Sequence, residues 1–181
     1  QAVIDGVCES PIAFVSLMGT LPTLRKKIRD SYEPSHEAIE ANKALLNRAG
    51  DNLTHVMINL LDDGGDMRRM NEVLHSYCSA CWQYSYNSGS RERVVDLQYL
   101  VALMEEKQAA GIDFDSTTLL LLAKIKLSLL KAHKGEDSRY NDTEQTFLDA
   151  YSKVGKNPNS VVEVLHQYVK FKLDFPSLIG N

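Results

Sequence analysis

Alternation of apolar and polar residues with a period of two, the mark of a half-buried strand, is missing from this chain. A sheet-based architecture is thereby excluded, and the expected class is all-α. Cysteine is scarce: Cys8, Cys78 and Cys81 make an odd count, which suits a reducing compartment or thiols that simply pack. Charge of either sign is balanced, with a formal net charge of −4, so no global basic field draws nucleic acid or an acidic membrane. There is no glycine-rich phosphate cradle, no nucleophile-elbow serine and no Ser, His, Asp order that singles out a triad. No basic segment followed by an apolar stretch marks a secretion signal. The chain opens on Gln1 instead of Met, so a processed chain or a piece of a longer protein is expected. Its location stays open between the cytoplasm and secretion as a soluble effector.

What is abundant is helical periodicity. With 181 residues the chain can bury a core without cross-links, and one domain over 1–181 is expected. The organising stretch is Thr117 to Lys134, TTLLLLAKIKLSLLKAHK. On a helical wheel Thr117, Lys124, Ser128 and Lys131 share one narrow strip, while leucines, Ala123 and Ile125 fill most of the rest. Such a helix is surrounded by others. Asp115 or Ser116 can cap its start, and Gly135 offers a stop. Lys124, Lys126 and Lys131 inside the run exclude a membrane span. Lys126 falls amid the apolar arc, where its stem can snorkel or its amine can meet a carboxylate.

Around this helix, about 116–134, the pattern predicts a compact bundle of seven or eight helices. Pro11 opens a short one to Met18, and a basic one follows from Thr23. Residues 36–49, stopped by Gly50, and a second segment from Asn52 with Leu53, Val56, Met57, Leu60 and Leu61 suggest a helical hairpin. The DDGGD run from Asp62 to Asp66 is a turn before a helix 67–86, whose expected inward stripe is Met67, Met70, Leu74, Tyr77, Cys78 and Cys81. A helix from Arg91 to Ala110, with Val94, Leu97, Val101 and Met104 inward, ends at Gly111. Asn141 with Glu144 and Ser160 with Glu163 match capping boxes for the last two helices. Phe147, Leu148 and Tyr151 are expected inward on the first of these, and Val161, Val164, Leu165 and Tyr168 on the second.

Several constellations could carry chemistry. Glu72-Val-Leu-His75 recurs as Glu163-Val-Leu-His166, and two Glu-x-x-His helices form part of the ligand set of di-metal bundles, with Glu40 and Glu105 in the right chain order for the remainder. Bundle ligands must project inward, whereas Glu72, Glu163 and His166 fall on polar faces of the wheel. His75, Cys78 and Cys81 have the spacing for three zinc ligands but lack a fourth, and the same spacing fits a packed stripe. The His36-Glu37 start lacks the second histidine of a zinc-protease helix, and Asp62, Asp63 and Asp66 lack the alternation of a calcium loop. Arg25, Lys26, Lys27 and Arg29, with Arg68, Arg69, Arg91 and Arg93 elsewhere, could track phosphates. An ordinary mixed-charge surface accounts for them better.

The reading that results is a non-enzymatic helical interaction domain, part of an assembly, adaptor or secreted effector, with no cofactor and another protein as its partner. A homo-oligomer is a further option. Trp82, Tyr84, Tyr86, Phe171 and Phe175, aromatics near helix ends, are the candidate contact groups. Two alternatives stand behind it. One is a metal-dependent bundle enzyme using Glu72, His75, Glu163 and His166 or the two cysteines; the other is nucleic-acid binding through residues 25–29.

Overall fold

The computed structural model describes residues 11–18, 36–85, 90–133 and 137–176, and among them every regular element is an α-helix. In chain order these are α1 (11–18), α2 (His36–Asp62), α3 (Met67–Ser85), α4 (Ser90–Ala109), α5 (Ser116–Ala132), α6 (Asp137–Ser152) and α7 (Pro158–Asp174). They fall into two compact units, Gln1–Asn87 and Ser88–Asn181. No helix is long and apolar enough to cross a membrane among the described residues.

In the first unit α2 packs on α3. The hairpin expected from Gly50 is not formed, because α2 runs unbroken through it to Asp62. Gly50 serves a different purpose. A Cβ there would lie 2.5 Å from Tyr77 Oη, so the missing side chain lets the Tyr77 ring close against the α2 backbone. The stop comes later, at the DDGGD turn. Gly65 N–H donates to Leu60 O and Gly64 N–H to Leu61 O, a paired closure that needs the left-handed Gly64 at φ +105°. Asp66 then caps α3, its Oδ1 accepting from the amides of Arg68 and Arg69.

On α3 the buried face is Met70, Asn71, Val73, Leu74, Tyr77, Cys78 and Ala80. Met67, expected inward, is exposed, and Cys81 is half-buried. Met67 sits in the first turn, where the helix has no preceding turn for its side chain to lie over. On α1, Phe14 and Met18 are buried, at the i, i+4 spacing of one face.

The second unit is arranged around α5, which packs against α4, α6 and α7. This explains its nearly all-round apolarity. Leu119 to Ala123, Ile125, Leu127, Leu129 and Leu130 are all buried, each fully buried leucine contributing about 1.5–3 kcal/mol. Asp115 Oδ1 accepts from Thr118 N–H at 2.7 Å and caps the start. His133 closes the end, and Gly135, the expected stop, lies outside the described residues. Between α4 and α5, Gly111 ends the first helix as expected, at φ +98°, while Ile112 and Phe114 turn back into the core. On α4 the buried residues are Leu97, Leu100 and Met104, with Val94 and Val101 half-buried.

Both expected capping boxes are corrected. Helix α6 starts at Asp137, so Asn141 is a full turn inside it. Helix α7 starts at Pro158 with Asn157 as its cap, its Oδ1 accepting from Asn159 N–H, so Ser160 is internal. Glu144 and Glu163 are thereby released to bond across helices.

Candidate functional site

The seams of the second unit are joined by lysines. Lys126, its side chain 8% exposed, places Nζ 2.8 Å from Glu105 Oε1 on α4 and 2.9 Å from Asp142 on α6. Lys124 reaches Glu163 on α7 at 2.9 Å, and Lys131 reaches Asp174 at 2.6 Å. The polar strip of α5 is therefore its seam with α7. Lys153 near the end of α6 pairs with Asp113 and donates to Phe114 O at 2.8 Å, tying that helix to the α4–α5 connection. The Lys126 stem is buried, while Glu105 and Asp142 at its tip are half in solvent.

Between α6 and α7 the seam is aromatic. Tyr140 stacks on Phe171 with ring centroids 4.7 Å apart, Phe147 stacks on Phe171 at 5.4 Å, and Phe175 meets Tyr140 edge-on at 6.3 Å. At its edge Tyr168 Oη donates to Glu144 Oε1 at 2.7 Å, and Lys172 Nζ pairs with Glu144 and donates to Tyr140 Oη at 3.0 Å. Partial burial works against each charge, but the bonds to Glu144 and Tyr140 outweigh it and raise the Lys172 ammonium above its ordinary value. Burial likewise opposes ionisation of Glu144, and hydrogen bonds from Lys172 and Tyr168 overcome it, so its carboxyl is lowered. Burial and the Glu144 carboxylate both raise the Tyr168 phenol. A lysine held protonated is neither nucleophile nor base. The cluster is a clamp between two helices.

Outside this seam α7 carries a second apolar face. Val162, Leu165, Val169 and Leu173 are 65%, 41%, 52% and 74% exposed. Their spacing puts them on one stripe about 16 Å long, roughly 150° round the helix from the buried Val164 and Phe171. Leu165, expected inward, is thus on this outer face.

The contacts of Glu144 with Tyr168 and Lys172 fix an antiparallel register that sets Leu148 opposite Leu165 and Tyr151 opposite Val162. Leu148 and Tyr151, also expected inward, are 43% and 48% exposed. They follow Glu144 by four and seven residues, on the same flank of α6. The buried face of α6 is instead Tyr140, Thr143, Thr146, Phe147 and Ala150. Six exposed aliphatic and aromatic side chains thus line one flank of the α6–α7 pair. Together they give the α6–α7 pair an exposed apolar flank.

Of the aromatics expected to contact a partner, Phe171 is 0% exposed and Phe175 half-buried, because both belong to the α6–α7 stack. Trp82 and Tyr84 are half-buried in α3, and Tyr86 lies outside the described residues, as do Arg25, Lys26, Lys27 and Arg29. Glu72 is exposed and pairs with Arg68 at 3.1 Å, Glu163 is committed to Lys124, and His166 is exposed. Cys78 is buried, and burial with the neighbouring Cys81 pushes its thiol well up. His75 is half-buried beside them. Among the described residues no group of three or more His, Cys, Asp or Glu is placed to hold a metal ion.

The chain matches no protein-family model, and neither curated proteins nor solved structures give a match.

Proposed function

We propose that this chain is a non-enzymatic helical interaction domain, and that its contact surface is the apolar flank of α6 and α7. The observation that carries the reading is the outer stripe Val162, Leu165, Val169 and Leu173, a second apolar face on a helix whose first is already buried. Anchors at i, i+3, i+7 and i+11 are how one helix meets another. The titratable cluster beside the stripe supports the same reading, since its lysine, tyrosine and glutamate hold one another in place instead of facing a cleft.

The test places a photo-crosslinking residue at Val169 and, as a control, at Gln145, which is exposed and donates to Asp149 on α6. In the source cells a discrete protein adduct is expected from position 169 and not from 145, and Leu165→Glu should abolish it. The same adducts at both positions, or none at 169, would sink the proposal.

A further inference from the structure

The flanks of the α7 stripe carry charges of both signs, and the way these are paired bears on what lies against it. The carboxylates beside it are already committed: Glu163 to Lys124, Asp174 to Lys131, and Glu144 to Lys172 and Tyr168. Lys170 forms no ion pair among the described residues, and it lies with His166 along one edge of the stripe. Three acids in the immediate surroundings are thus neutralised from inside the unit, and a cation is left over at the rim. A partner that supplied carboxylates there would gain charge-assisted contacts without displacing any existing pair.

A second copy of this chain fits poorly. Two α7 stripes packed antiparallel bring the same flank of each helix together, so Lys170 and His166 of one copy face those of the other. Packed parallel, that flank meets the Tyr168–Lys172 edge, where the carboxylate of Glu144 is already held by both residues. Either arrangement sets cation against cation or against a spent acid.

Resting on the reading of this flank as a contact surface, we infer that its occupant is an acidic amphipathic helix of a different protein. Leucine- or valine-sized side chains of that helix lie on Val162, Leu165, Val169 and Leu173, on the flank shared with Leu148 and Tyr151, and its flanking glutamates or aspartates reach Lys170.

The experiment uses the full chain and two labelled helical peptides with the same leucine stripe, one flanked by glutamates and one by lysines, followed by fluorescence anisotropy at low salt. The glutamate peptide is expected to bind at least tenfold tighter than the lysine peptide. Lys170→Glu should reverse that order, and Val169→Glu should remove binding of both while leaving the melting temperature in place, since Val169 is 52% exposed. Equal binding, or a preference for the lysine peptide, overturns the acidic partner. If Val169→Glu then abolishes it, the contact surface itself stands. A dimer in native mass spectrometry that Val169→Glu dissolves replaces the foreign helix by a second copy, again sparing the surface. Absence of both peptide binding and dimer, or binding indifferent to Val169→Glu, overturns the inference and the surface together.

Discussion

The phenolic oxygen of Tyr77 occupies the space that a side chain at Gly50 would need, 2.5 Å from the position of its Cβ. Gly50→Ala gains about 1 kcal/mol of helix propensity within α2, but must displace a ring that is buried and 4% exposed. Overpacking of that kind costs about 1–3 kcal/mol, so the variant is expected to be less stable. In a Tyr77→Phe background the nearest ring atom retreats to about 3.3 Å and most of the penalty should disappear. A double-mutant cycle by urea unfolding measures the coupling, and additivity would refute the contact.

Lys126 divides packing from charge. Its stem is buried, but Glu105 and Asp142 are half in solvent, so the ion pairs are screened. Lys126→Met, which keeps the stem and removes the charge, is expected to change stability by no more than about 1 kcal/mol. Lys126→Glu, which sets a third carboxylate beside two others, should unfold the second unit at neutral pH. Circular dichroism of the two variants checks the contrast.

The Glu144 clamp makes stability fall at both ends of the pH scale. The Glu144 carboxyl is lowered from 4.5 on folding, so its contribution is present above that value and is lost as pH falls through the folded one. Tyr168 and Lys172 are raised from 10.0 and 10.5, so theirs is complete below pH 10 and is lost as pH rises through their folded values. Glu144→Gln should lower the melting temperature at pH 7 and flatten both edges. Unchanged edges in thermal melts from pH 3 to 11 would show that the clamp does not contribute.

The two cysteines of α3 should differ in reactivity. Cys78 is buried with its thiol held protonated, whereas Cys81 is half-buried. Brief exposure to N-ethylmaleimide followed by peptide mass analysis is expected to find Cys81 labelled well before Cys78. Equal labelling would mean that α3 opens locally on the timescale of the reaction.

Much of the fold was legible because it depends on local chemistry. The wheel of residues 117–134 required a helix enclosed by others, and α5 is buried against three neighbours. Less of the contact surface was legible. On α7 the wheel places Val161, Val164, Leu165 and Tyr168 inward, yet the apolar arc is wider than one contact face. The signal for a second face lay in Val162, Val169 and Leu173, whose recurrence with Leu165 marks a stripe without saying which arc is buried.

The sequence by itself determined the all-α class, the enclosure of α5, a cap at Asp115 or Ser116 and the stop at Gly111, because side chains within a few residues satisfy or end a helix's own hydrogen bonds. Only the tertiary structure decided that Gly50 receives Tyr77, that Glu144 and Glu163 bond across helices, and that Phe171 is enclosed while Val169 is not. In each case the partner is dozens of residues away or more than one apolar arc is available. Burial is a property of two surfaces, and a helix read alone shows one.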